Sequence, residues 1–131
     1  MELLKNEVRN DLIITAVEGG SNYWYFLDDE ACKIIDKYKG IKKDFHGKFP
    51  MGTFSEAIIT AVDAGEKLAI SDVENSDEIL GWLSKENIEK GEKIMYEKYP
   101  KFFASILGEE WDAETADVWF QLCTMGELVF G

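Results

Sequence analysis

The chain has 131 residues, 46% of them hydrophobic and 13% aromatic, with a formal charge of -12. That is core material for one self-supporting domain over residues 1–131, with no need of metal or disulfide staples and too apolar for intrinsic disorder. The charge opposes direct binding to nucleic acid or an anionic membrane surface. No window approaches the ~18 uninterrupted apolar residues of a membrane span, and the start lacks a basic region followed by an apolar one, so a cytoplasmic protein is expected.

Leu4, Val8, Leu12, Ile13, Ala16 and Val17 recur at spacings of three and four, which predicts an amphipathic helix from Leu3 to Glu18. Gly19 is its expected left-handed end, and the ring-rich Asn22 to Leu27 then reads as a strand. Asp28 or Asp29 caps a second helix that buries Ala31, Ile34, Ile35 and Tyr38 and ends at Gly40. Ile41 to Gly52 has no periodicity and reads as a loop holding the one basic cluster, Lys42, Lys43 and Lys48. Thr53 and Glu56 have capping-box spacing and introduce a short helix through Ile58, Ile59 and Val62.

Lys67 to Val73 alternates as a strand, residues 74–77 are turn chemistry, and Glu78 to Leu83 completes a hairpin; the competing reading starts a helix at residue 77. Ser84 caps a long helix through Ile88, Ile94, Met95 and Tyr99, in which Gly91 marks a close approach by another element. Pro100 breaks it, and a further helical stretch closes at Gly108. An acidic entry at Asp112 leads to a last helix with little polar circumference, stopped by Gly126, and Glu127 to Phe130 reads as a terminal strand. These elements predict an α+β fold, a single compact domain with a small, mostly antiparallel sheet of short strands packed against four or five helices.

Three stretches, Val17 to Trp24, Lys85 to Pro100 and Asp112 to Gly131, together resemble a family of small acidic proteins encoded by bacteriophages, prophages and other mobile elements. Its marks are a Gly-Gly-x-x-Tyr-Trp segment near the start and a Gly-Glu-aliphatic-aromatic-Gly ending. The resemblance implies a mobile-element setting and a compact fold, leaves Ile41 to Gly52 uncovered, and carries over no catalytic residue.

Gly19, Gly20, Ser21 and Asn22 lead from helix to strand, the wrong direction for a phosphate-cradling loop, so a helix end and turn is the reading. Tyr23, Trp24, Tyr25 and Phe26 alternate across their strand, two rings to each side; core and sheet-edge packing is the expected role, and a pair left exposed is a candidate interface anchor or stacking platform. Asp112, Glu114 and Asp117 are the best carboxylate group for a hard cation, but the spacing fails an EF-hand loop and fits acids in a helix's first turn. Ser21, Asn22 and Thr115 are the polar groups that a ligand pocket between the aromatic strand and the last helix could use. Cys32 and Cys123 lie apart from each other and from His46, so both are expected reduced, with no metal or cofactor. His46 is expected to be an ordinary surface histidine.

Charge is uneven: residues 72–117 hold thirteen acids against five lysines. The first functional expectation is a non-enzymatic binding protein that meets a host or viral protein partner through an acidic and aromatic surface. The alternative is a nucleotide-like small-ligand binder with a pocket between the aromatic strand and the last helix. A carboxylate-dependent enzyme is third.

Overall fold

A computed structural model describes residues 3–39 and 54–131. The expected ends of two helices at Gly40 and Thr53, the lysine loop from Ile41 to Gly52, and His46 lie outside the described residues. The architecture is α+β: three antiparallel strands, in sheet order β1-β2-β3, packed with helices. None of the described helices is long and apolar enough to cross a membrane.

Helix α1 (Asn6–Thr15) buries Leu12 and Ile13. It then widens into a π-helical turn, Ala16–Gly20, closed by the Ser21 N–H donating to the Ala16 carbonyl at 2.9 Å. Gly19 is extended, at φ 175°, and is not the left-handed cap expected there. The π turn replaces that cap because the chain has to swing toward the last helix. A Cβ on Gly20 would lie 3.0 Å from the Ala113 carbonyl oxygen and 3.3 Å from that of Thr15.

Strand β1 is only Tyr25–Phe26, where Asn22 to Leu27 was expected. Residues 21–24 form a turn in which the Trp24 and Tyr25 amides both donate to the Ser21 carbonyl, at 3.1 and 3.3 Å. The shortening has a tertiary cause. The side chains of Ser21, Tyr23 and Trp24 converge on one carboxylate, whereas an extended chain would send neighbouring side chains to opposite faces. The rings therefore divide differently from strict alternation: Trp24 is buried and Tyr25 half-buried, while Tyr23 and Phe26 are exposed.

Asp28, one of the two expected caps, accepts the Ala31 N–H at 2.9 Å and starts α2 (Asp29–Asp36). Helix α3 (Phe54–Asp63) buries Ile58, Ile59 and Val62. Strands β2 (Leu68–Asp72) and β3 (Asn75–Leu83) form the expected hairpin, with Leu68 opposite Leu83 and Ile70 opposite Gly81. Its turn falls at residues 73–74, one to three positions earlier than the Glu-Asn-Ser-Asp run suggests, and residues 77–83 are strand rather than helix.

Ser84 caps α4 (Lys85–Lys98) by accepting the Asn87 N–H at 3.2 Å. Tyr99, at φ -130° and ψ 56°, breaks the helix before Pro100, and α5 (Pro100–Leu107) follows. Asp112 accepts the Thr115 N–H at 3.1 Å and caps α6 (Ala113–Met125), which ends at Gly126 in the left-handed region, φ 80°. Every residue from Thr115 to Thr124 is buried, because α6 contacts α1, the π turn, α4 and β3 together. Both cysteines are free, and burial pushes the Cys123 thiol well above its ordinary range.

The α4–α6 contact depends on Gly91. A Cβ there would come within 2.5 Å of the Cys123 Cα and 2.6 Å of its amide nitrogen, both rigid backbone. Alanine at this position gains about 1 kcal/mol in helix propensity, yet forcing two helices apart costs about 1–3 kcal/mol. Gly91→Ala is therefore expected to destabilise the protein in urea unfolding. An unchanged or raised midpoint would mean the helices separate freely.

Residues 127–130 are not the expected strand. Their backbone groups are taken by a side chain instead: the Val129 and Phe130 amides both donate to Gln121 Oε1 at 2.9 Å, and Gln121 Nε2 donates to the Phe130 carbonyl at 3.2 Å. The Gln121 carboxamide stands in for the neighbouring peptide group of a sheet.

Candidate functional site

Two buried carboxylates organise the interior around α6. Asp117 accepts from Ser21 Oγ and Trp24 Nε1, each at 2.7 Å, from the Tyr23 hydroxyl at 2.5 Å, and from Gln121 Nε2 at 3.1 Å. Trp24 stacks on Phe130, with centroids 5.2 Å apart and planes 12° from parallel, and meets Phe120 at 5.8 Å. One aspartate thus ties the Gly-Gly-Ser-Asn-Tyr-Trp turn to α6, and Gln121 beside it ties down the C-terminal segment.

The hydroxyl of Tyr23 is pushed up to about 12, first by desolvation and then by the Asp117 carboxylate that accepts its proton. A phenol whose pKa is raised on folding contributes stability that is complete below its unfolded value near 10 and is lost as pH rises through about 12. Between those limits wild type is expected to lose stability relative to Tyr23→Phe, read as converging urea midpoints. Parallel midpoints up to pH 12 would sink the assignment. Tyr25, also raised to about 12 by burial, is common to both proteins and drops out of the comparison.

The second carboxylate is Glu92 on α4. Arg9, the chain's only arginine, grips it with two bonds from Nε, at 2.9 and 3.1 Å, and one from a terminal nitrogen at 2.5 Å. Trp119 Nε1 donates to it at 3.1 Å. Burial raises the Glu92 carboxyl above the usual range, against the opposing pull of Arg9 and Trp119.

The candidate residues read from the sequence fall into separate groups. Ser21, Tyr23, Trp24 and Asp117 come together, but as an internally satisfied hub. Tyr25 donates its hydroxyl to the Val17 carbonyl at 3.0 Å and packs edge-on to Phe120. Asp112 and Thr115 form the cap of α6, with Thr115 Oγ1 3.3 Å from Asp112 Oδ1, while Asn22 and Glu114 are exposed. Rings fill the space between the aromatic segment and α6 where a ligand pocket was expected. Among the described residues no three His, Cys, Asp or Glu side chains gather so as to hold a metal ion.

No family model, curated protein or solved structure matches the chain.

Two surface features stand out. Beside the sheet, Phe26 and Ile79, 40% and 48% exposed, border a shallow groove of about 390 Å³ that is walled by Asp28, Asp29, Glu30 and Asp77. The strand register explains the pairing of the apolar groups: Phe26 and Ile79 both stand opposite Ser71, one on each side of β2. A second cleft, of about 430 Å³, opens between α1, α3 and α4.

Sequence reasoning missed Arg9, Glu92, Trp119 and Gln121. A signal was present for two of them. Glu92 falls four residues after Ile88 and three before Met95, on the buried stripe of its helix, and Gln121 lies four residues after Asp117 in a helix with no polar side.

Proposed function

We propose that this is a binding protein of mobile-element origin, acting in the cytoplasm on a protein partner by contact rather than catalysis. The observation that carries the reading is the groove in which exposed Phe26 and Ile79 stand among Asp28, Asp29, Glu30 and Asp77. Apolar groups at the centre of an interface supply desolvation energy, and a surrounding ring of one charge steers and selects a basic partner. The resemblance of Val17 to Trp24 and of the C-terminal stretch to phage-encoded acidic proteins supports the mobile-element setting.

The test uses the wild-type protein, Phe26→Ala and Asp29→Lys/Glu30→Lys as baits in bacterial lysate at low and high salt. All three substituted side chains are exposed, so the fold is expected to persist. The expected result is a protein captured by wild type that weakens with salt and is lost from both variants. Equal capture by all three baits, or no specific protein at either ionic strength, would refute the proposal.

A further inference from the structure

The cleft between α1, α3 and α4 is separate from the groove beside the sheet, and its lining has a different chemistry. Each helix contributes residues three and four positions apart, so each presents one face to the opening. Its apolar part is Ile13, Ile59, Val62 and Ile88, and all four of these side chains are buried. Its volume of about 430 Å³ lies at the lower end of the range for small-molecule sites.

The polar part carries both signs of charge. Arg9 is held by Glu92 at the back, leaving Lys85 and Glu89 on the exposed rim of α4 with Asp63 across from them. Lys85 and Glu89 are four residues apart, yet among the described residues no ion pair joins them to each other or to another side chain. On the same helix Glu86 and Lys90, also four apart, do close, at 3.0 Å. The order explains the difference, because glutamate before lysine suits the helix dipole and lysine before glutamate does not. The result is an exposed ammonium and an exposed carboxylate on one rim, above the aliphatic side chains that line the cleft.

We propose that this cleft binds a free α-amino acid with a branched aliphatic side chain, its carboxylate on Lys85, its ammonium on Glu89 and its side chain on Ile59, Val62 and Ile88. Lys85 is the first residue of α4, so the positive end of the helix dipole reinforces its attraction for a carboxylate. A phosphate dianion would meet Glu89, and a simple amine would meet Lys85 with nothing to offer it. A zwitterion satisfies both signs at once.

Calorimetry and thermal shift with leucine test this directly, alongside isocaproate, which lacks the amine, isoamylamine, which lacks the carboxylate, and inorganic phosphate. Leucine is expected to bind and to raise the melting temperature, with each half-charged analogue roughly tenfold weaker or more, since each loses a charge-assisted hydrogen bond. Lys85→Met and Glu89→Gln, both at exposed positions, are expected to weaken leucine by a similar factor and to leave the unliganded melting temperature unchanged. No binding of leucine at millimolar concentration would overturn the proposal, as would phosphate or isoamylamine binding as well as leucine, or both variants retaining wild-type affinity. None of these readouts involves Phe26, Asp29 or Glu30, so this site and the partner-binding groove stand or fall separately.

Discussion

Replacing Glu92 by alanine is expected to destabilise the protein by about 3–5 kcal/mol, the range for breaking one side of a buried ion pair. The side chain of Glu92 is 1% exposed and that of Arg9 11%. Truncation removes the acceptor of the three Arg9–Glu92 bonds and leaves the Trp119 N–H, which donates to the same carboxylate, without its acceptor. The cost comes from what is left behind rather than from a large net attraction within the pair. Desolvation already outweighs Arg9 in setting the Glu92 carboxyl above its normal range, the mark of a charge that is expensive to bury even when paired. The double variant Arg9→Met/Glu92→Met is accordingly expected to recover most of the loss, because it buries no charge. Urea unfolding followed by tryptophan fluorescence reads both effects. A single variant within 1 kcal/mol of wild type, or a double variant no better than the single, would contradict this account.

Asp117→Ala is expected to cost on the order of 4 kcal/mol, from two or more buried donors left without acceptors at about 1–3 kcal/mol each. Ser21 Oγ and Trp24 Nε1 are the buried donors, with Tyr23 and Gln121 completing the set. Asp117→Asn keeps the shape but puts an N–H₂ where donors already point, so it too is expected to lose stability, by less than alanine does. The loss also has a location. Freed from Asp117, Gln121 and Trp24 hold the C-terminal segment less well, so the Val129 and Phe130 amides should exchange hydrogen faster in both variants. Unchanged exchange at these two amides would show that the segment is held independently of the hub.

Local chemistry was readable wherever one short stretch held both halves of the interaction. Asp28, Ser84 and Asp112 cap their helices as their types and positions suggest. Pro100 breaks the helix before it, and Gly126 ends α6 in the left-handed conformation. The two segments read wrongly as full strands, Asn22 to Leu27 and Glu127 to Phe130, failed for one reason. Both have strand-like composition, but their hydrogen bonds go to two side chains of α6, Asp117 and Gln121, which lie far away in sequence for the first segment. Gly91 is intermediate. Its presence in a helix signalled a close approach, and only the fold names Cys123 and Leu122 as what approaches.

The amino-acid order by itself determined the α+β class, the Ser84 and Asp112 caps and the excess of negative charge, because each depends on periodicity, capping chemistry or composition within a few residues, while it left the hairpin open against a helix from residue 77. Only the tertiary structure decided that Asp117 and Glu92 face inward rather than outward, that Arg9 is spent within the fold, and that Lys85 and Glu89 stand exposed above the aliphatic side chains that line the cleft. The first two outcomes depend on which buried group finds a partner across the core, and the third on which helix faces the packing leaves at the surface. A polar side chain withdrawn from water takes the nearest partner that the packing brings to it, and that distance is a property of the folded chain and not of the sequence interval.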